Sequence, residues 1–212
     1  MEWSDRMLEE LRGRKPSLID MGSYRRSAVV IPLIKTESGY EVLFEVRAIG
    51  LKHQPGEICF PGGGCNRDEA AEAAARREIC EELLLSPEQI RLEAPMDIFI
   101  SPFNMIIYPY LGTLRGYQGT FSRDEVLEVF TVPLRFFMEN EPRIYYNNVY
   151  TEPPENFPWD KVQDGYKYRW NTGKYPVVFY EYENRVIWGI TARIMRSTVQ
   201  IMRDAGWGIE EK

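Results

Sequence analysis

The sequence predicts an α/β fold, an α/β/α sandwich around a mixed β-sheet. Along its 212 residues, short β-branched and aromatic runs are interspersed with helix-forming stretches. The order lacks the regular βαβ alternation of a doubly wound parallel sheet. Two segments, one mid-chain and one near the C-terminal end, have the length and apolar spacing of helices packed on a core.

The elements follow in order. Residues 4–12 have helical composition, with Met7, Leu8 and Leu11 on one face, and Lys15-Pro16 breaks the pattern. Residues 28–34, rich in Val and Ile, and residues 40–46 flank Glu37-Ser38-Gly39, which predicts a β-hairpin. A loop over 48–57 with Gly50, Pro55 and Gly56 leads to a short strand at 58–60, which ends at Pro61 and the run Gly62, Gly63, Gly64. Residues 69–84, rich in Ala, Glu, Arg and Leu and free of Gly and Pro, predict an unbroken helix. Strands over 91–100 and 105–114 flank Ser101-Pro102-Phe103-Asn104, and a strand over 126–132 leads into Pro133, which starts a short helix through Met138. Tyrosine-rich strands over 143–150 and 175–182 enclose a loop containing Pro153, Pro154 and Pro158. A helix over 188–205 places Ile190, Ile194, Val199, Ile201 and Met202 toward the core and ends at Gly206.

With 44% apolar and 13% aromatic residues, the chain can bury one full core, so a single globular domain over 1–212 is expected. The net charge of −6 and the lack of a basic block argue against nucleic acid as a partner. Cys59, Cys65 and Cys80 are odd in number, show no Cys-x-x-Cys spacing and accompany one histidine, which excludes a disulfide framework and a zinc site. Free thiols suit a reducing compartment. No apolar run approaches the ~20 residues a membrane helix needs, and the first residues lack the apolar core of a signal peptide. The chain therefore reads as soluble and cytoplasmic.

The chemistry concentrates in residues 63–85. On a helix Glu78 and Glu82 are one turn apart and Glu81 lies beside them, so three carboxylates share one side. Like charges so placed repel, and a hard divalent cation such as Mg²⁺ rewards the arrangement. The glycines just before the helix let backbone groups approach a metal or a phosphate closely. A lone acidic helix is more often a solvated face; the glycine loop in register with it tips the reading to a metal site.

Gly63, Glu69, Arg77, Glu78, Ile79, Glu81, Glu82 and Leu85 fall at the spacing of the Nudix hydrolase box, and the segment resembles that family. Leu84 departs, standing where the family usually has the glycine that ends the helix. The resemblance implies a Nudix fold and diphosphate cleavage with Mg²⁺ or Mn²⁺. Glu78, Glu81 and Glu82 would hold the metal, with one of them activating water. The Gly63 carbonyl or its neighbour would complete the shell, Arg77 would orient a carboxylate, and Glu69 would be structural.

Upstream, Leu43-Phe44-Glu45-Val46-Arg47-Ala48, Lys52, Gly56 and Phe60-Pro61-Gly62-Gly63 resemble the coenzyme A diphosphatase branch of that family. The departures are Phe44, Glu45 and Ala48, where the branch favours Leu, Thr and Ser, and Lys52, where it favours Arg. Lys keeps the charge and loses the bidentate fork. Residues 124–134 and 187–193 are similar to the branch as well, whereas the aromatic insertion over about 145–182 is not. The resemblance implies coenzyme A or an acyl derivative as substrate, held by Arg47, Lys52, Gly62 and Gly63, with 3′,5′-ADP and 4′-phosphopantetheine as products. A further loop carboxylate is Glu125 or Glu128. Arg25 and Arg26 are weaker candidates for the 3′-phosphate, and His53 reads as a loop residue rather than a base. Trp159, Tyr166, Tyr168 and Trp170 suit packing or a dimer contact better than an adenine cover. A homodimer follows from the resemblance alone. Two other readings stand beside this one: a Nudix enzyme for ADP-ribose, a dinucleotide or another nucleotide, and a non-catalytic nucleotide-binding module.

Overall fold

The computed structural model describes residues 5–207. A short helix α1 (Asp5–Leu11) precedes the hairpin of β1 (Arg25–Thr36) and β2 (Gly39–Arg47), which pair antiparallel from Thr36 with Gly39. Then come β3 (Ile58–Cys59), β4 (Gly62–Gly64), the helix α2 (Ala71–Leu83), β5 (Ile90–Pro95), β6 (Phe99–Ser101) and β7 (Met105–Leu114). β8 (Val126–Pro133) runs into α3 (Leu134–Glu139), and β9 (Arg143–Val149), β10 (Gly173–Tyr182) and β11 (Arg185–Trp188) lead to α4 (Gly189–Asp204).

The main sheet runs β3-β2-β1-β7-β5, with β4 on β1, β6 on β7 and β8 on β2. β1 lies parallel to β7 and the other pairs are antiparallel, so the sheet is mixed. Side chains alternate across it with period two. Ala28, Val30 and Leu43 pack with Ala71, Ala74, Ala75, Ile79 and Leu83 of α2 on one face. Ile31, Leu33, Val42 and Phe44 pack on the other with Phe137 of α3 and Ala192, Met195, Val199 and Met202 of α4. This is the expected α/β/α sandwich. At its centre the buried Phe44 ring meets Phe60 at 4.9 Å, Phe130 at 5.6 Å and Phe137 at 5.8 Å.

Several elements differ from expectation. The strand over 91–100 divides into β5 and β6, because the register shifts between Leu92 and Ala94 and β5 ends at Pro95. Gly62–Gly64 forms a strand rather than a loop, pairing with Val29, Ala28 and Ser27. β11 follows β10 through a tight turn at Glu183 and completes a second sheet, β11-β10-β9, in the insertion. In α1, Leu8 and Leu11 of the expected apolar face are exposed, and Ser4 lies outside the described residues. The long loop carries two single helical turns, Trp159–Lys161 and Gly165–Lys167. Its aromatics pack on one another, Trp159 on Tyr166 at 5.1 Å and Tyr168 on Trp170 at 5.0 Å. All three cysteines are free. Among the described residues no helix is long and apolar enough to cross a membrane.

Phe44 joins strand β2 to both short aromatic neighbours and to α3. Phe44→Ala is expected to cost about 3–5 kcal/mol, the range for deleting a buried aromatic side chain, read as a lowered denaturant midpoint with an unchanged slope.

Candidate active site

Helix α2 brings its carboxylates against the glycine strand. Glu82 is buried, and its Oε2 accepts the Gly62 N–H at 2.7 Å. Gly63 leaves room for Glu78: a Cβ there would lie 2.4 Å from that carboxylate. A Cβ on Gly62, whose φ is +151°, would fall 2.3 Å from the Ala28 carbonyl oxygen. The glycines are thus required twice, by the pairing of β4 with β1 and by the nearness of the carboxylates.

Arg77 uses its guanidinium fork as a hub. Nε and Nη2 donate to Glu69 at 3.0 and 2.9 Å, Nη1 to Glu78 at 2.8 Å and Glu81 at 3.2 Å, and Nη2 also to the Gly64 carbonyl at 3.1 Å. These bonds hold the Glu69 carboxyl down to about 2, helped by the Asn66 N–H. Glu78 is pushed upward by burial, against the pull of Arg77. Glu81 is the outermost of the three, with its side chain 55% exposed.

One carboxylate overlooked by the motif reading joins this group. Glu45, at the middle of β2, is fully buried and shares the α2 face with Leu43. Burial and the neighbouring negative charge raise both Glu45 and Glu82 well above the usual carboxylate range, with Glu78 and Glu125 adding to the repulsion. The Cys59 thiol donates to Glu45 at 3.3 Å, and burial drives that thiol strongly upward. The available signal was a charge interrupting an apolar strand, Leu43-Phe44-Glu45-Val46.

Glu125 and Glu128 separate. Glu128 pairs across the sheet with Val46, which puts it on the face opposite α2, where Arg185 engages it. The structure therefore does not bring Glu128 to the carboxylate group. Glu125 acts electrostatically on Glu45, Glu78 and Glu82, and its carbonyl accepts the Ala48 N–H at 2.8 Å.

On the α4 side of the glycine strand lies a cavity of about 220 Å³, lined by Gly62, Gly63, Arg47, Glu57, Cys59 and Thr191 among others. Arg47 Nε donates to the His53 carbonyl at 3.3 Å, and Arg47 and Glu57 tie the loop's base through backbone bonds. Lys52 and His53 are exposed on that loop. Arg26 turns to the Glu69 carbonyl and Arg25 is exposed. Trp159, Tyr166, Tyr168 and Trp170 do not line the cavity.

Leu84 takes the left-handed conformation of the usual glycine, φ 53° and ψ 46°, with its side chain outward. The loop after β7 closes the helix end: Thr120 Oγ1 donates to the Leu83 carbonyl and the Ser122 N–H to that of Glu82, each at 2.7 Å. The box therefore keeps its shape without the glycine.

The model of the NUDIX domain matches residues 23–148, more than half of the chain. The chain belongs to the Nudix family. The peroxisomal coenzyme A diphosphatase NUDT7 of Mus musculus is 34% identical over 137 residues, covering 64% of this chain and 57% of that protein. The uncharacterized Nudix hydrolase NudL of Enterobacter sp. (strain 638) is 27% identical over 205 residues, covering 92% and 95%. A MutT/nudix family protein from Enterococcus faecalis shares the fold, with a TM-score of 0.51 at 13% identity over 100% of this chain and 72% of that one. The chain spans somewhat over half the length of the mouse protein and of the mitochondrial Nudix hydrolase 15 of Arabidopsis thaliana, 57% and 56%.

The Nudix carboxylates fit a hard divalent cation. Glu78 and Glu82 are partly or wholly buried oxygen donors that act on one another and on the buried Glu45 of β2, whose Oε2 has no hydrogen-bond partner. Among the described residues no three such side chains already converge as a finished metal site. Arg77 engages one oxygen each of Glu78 and Glu81, Oε1 and Oε2, and leaves the other oxygen of each outside its fork.

The Glu69 shift sets an acid limit on the Arg77 hub. Its native value lies below the ordinary 4.5, so the stabilisation is complete above about pH 4.5 and is lost as pH falls toward 2. Glu69→Gln is expected to be less stable than wild type at neutral pH, with the difference vanishing toward pH 2. Denaturant unfolding across that range measures it; a difference independent of pH would contradict the shift.

Proposed function

We propose that this Nudix chain is a Mg²⁺- or Mn²⁺-dependent hydrolase that cleaves the diphosphate of coenzyme A or acyl-coenzyme A, giving 3′,5′-ADP and (acyl-)4′-phosphopantetheine. The observation that carries the reading is the position of Gly62 and Gly63. They contact Glu82 and Glu78 on one side and line the cavity with Arg47 on the other. The similarity to the mouse coenzyme A diphosphatase supports the choice of substrate.

In this reading Glu78, Glu81 and Glu82 would hold the cation, which supplies charge neutralisation on the diphosphate and lowers the pKa of a bound water. Arg47, partly buried at the cavity, binds a phosphate oxygen, and Lys52 adds a second positive charge from the exposed loop. Gly62, fixed by Glu82, keeps side-chain bulk away from the diphosphate. Water attacks phosphorus in line, the bridging P–O bond breaks, and the water's proton passes to a carboxylate of the group. The branch resemblance also carries a homodimer, which sedimentation would read directly.

Purified protein incubated with coenzyme A, acyl-coenzyme A, ADP-ribose and dinucleotides, with Mg²⁺ or Mn²⁺, should release 3′,5′-ADP from the first two, identified by mass. Preferred cleavage of ADP-ribose or a dinucleotide would move the substrate assignment within the family. Glu82→Gln should abolish metal-dependent turnover while circular dichroism and the unfolding transition stay native-like; undiminished turnover would sink the metal assignment.

Gly63→Ala separates site from scaffold. The added methyl meets the end of the Glu78 side chain, which can move, rather than backbone. Turnover is expected to fall about 10–100-fold with stability within roughly 1 kcal/mol of wild type.

A further inference from the structure

Strand β2 is buried from Val42 through Val46, and its α2 face presents Leu43 and then Glu45. Glu45 is 0% exposed. One of its oxygens accepts only the weak Cys59 thiol donor, and the other, Oε2, has no partner at all. Arg47, the guanidinium that acts on it, gives its Nε to the His53 carbonyl. The charged groups acting on Glu45 besides Arg47 are Glu125 and Glu78, and Glu45 in turn acts on Glu82.

Packing does not account for this residue. A side chain needed only to fill the strand's α2 face would be apolar, as Leu43 is, or a small hydroxyl such as the Thr that the coenzyme A branch favours here. An isolated buried carboxylate is among the costliest groups a fold can carry, and native structures keep one ionised only with a pairing charge or a metal. No protein cation among the described residues forms a salt bridge with Glu45. Cys59, opposite Glu45 in the β2–β3 register, offers a neutral donor and no compensation for the charge.

We infer that Glu45 is a ligand for the divalent cation, a carboxylate supplied from strand β2 that faces those of α2 and is absent from the Nudix box. The inference deepens the metal-dependent reading above and rests on it. It makes the metal centre of this chain a two-element site, in which the helix contributes Glu78, Glu81 and Glu82 and strand β2 contributes Glu45. The unpartnered Oε2 is then the atom left for the ion. A strand ligand also couples cation binding to the sandwich core, because Phe44, next to Glu45, packs in the core of the opposite face and Val46 is buried.

The test is Mn²⁺ binding, followed by the electron paramagnetic resonance signal of the free ion, together with thermal unfolding with and without Mg²⁺. Wild type, Glu45→Gln, Glu45→Thr, Glu82→Gln and Glu128→Gln are compared. Glu45→Gln and Glu45→Thr should each weaken Mn²⁺ binding about 10–100-fold and remove most of the Mg²⁺-induced rise in Tm. Without metal they should unfold at or above the wild-type temperature, since a buried charge has been removed. Glu128→Gln, on the other face of the sheet, should bind Mn²⁺ as wild type does. If Glu82→Gln loses Mn²⁺ while both Glu45 variants keep wild-type affinity, the Glu45 inference is overturned and the box assignment stands. Metal-free Glu45 variants that both melt well below wild type would make Glu45 a fold residue and overturn it equally. If wild type itself takes up no Mn²⁺, the metal-dependent reading fails and this inference falls with it.

Discussion

The strand Gly62–Gly64 has no space for side chains at its first two positions, and the rest of the site is arranged around that fact. On one side its backbone is closed by β1, so tightly that a methyl on Gly62 would overlap the Ala28 carbonyl. On another, Glu78 fills the volume a side chain on Gly63 would take. The thin strand lets the carboxylates of α2 and the cavity bearing Arg47 sit a single backbone apart. Side chains on this strand would push the carboxylates and the Arg47 cavity apart.

The clustered acids are managed in two different ways. Glu69, Glu78 and Glu81 share Arg77, whose donors also reach the Gly64 carbonyl, so this outer group is partly compensated by a planar cation that ties helix to strand. Lysine at this position would supply charge without the fork that reaches several partners at once. Glu82 and Glu45 have no such partner; one accepts a backbone N–H and the other a thiol, and both are raised by burial. Among the described residues the only side-chain cation bonded to these acids is therefore Arg77, on the outer group, and the inner pair has none.

Much of this was legible in the residues. Helix α2 followed from its Ala, Glu, Arg and Leu content, the first hairpin from two apolar runs around Glu37-Ser38-Gly39, and the metal-type carboxylates from their spacing relative to Gly63. What stayed hidden depends on pairing between distant segments. Three glycines have little strand propensity of their own, and only β1 makes a strand of them. Glu128 looked as available as Glu125 because spacing along the chain does not reveal which sheet face a residue occupies. Its register opposite Val46 decides that. Glu45 was visible as an odd charge in an apolar strand, but its proximity to Glu82 exists only once β2 lies beneath α2.

The exit of α2 shows how the site tolerates the loss of the usual box glycine. Leu84 accepts the left-handed turn with an outward side chain, and the loop between β7 and β8 supplies the missing satisfaction of the helix carbonyls through Thr120 and Ser122. Because Ser122 bonds the Glu82 carbonyl while Gly62 bonds its carboxylate, Glu82 is fixed at its backbone and its tip by separate elements. The same loop ends at Glu125, whose carbonyl holds Ala48 at the base of the segment carrying Lys52 and His53. The helix cap, the carboxylate helix and the loop carrying Lys52 are thereby joined by backbone hydrogen bonds through Ser122, Glu125 and Ala48.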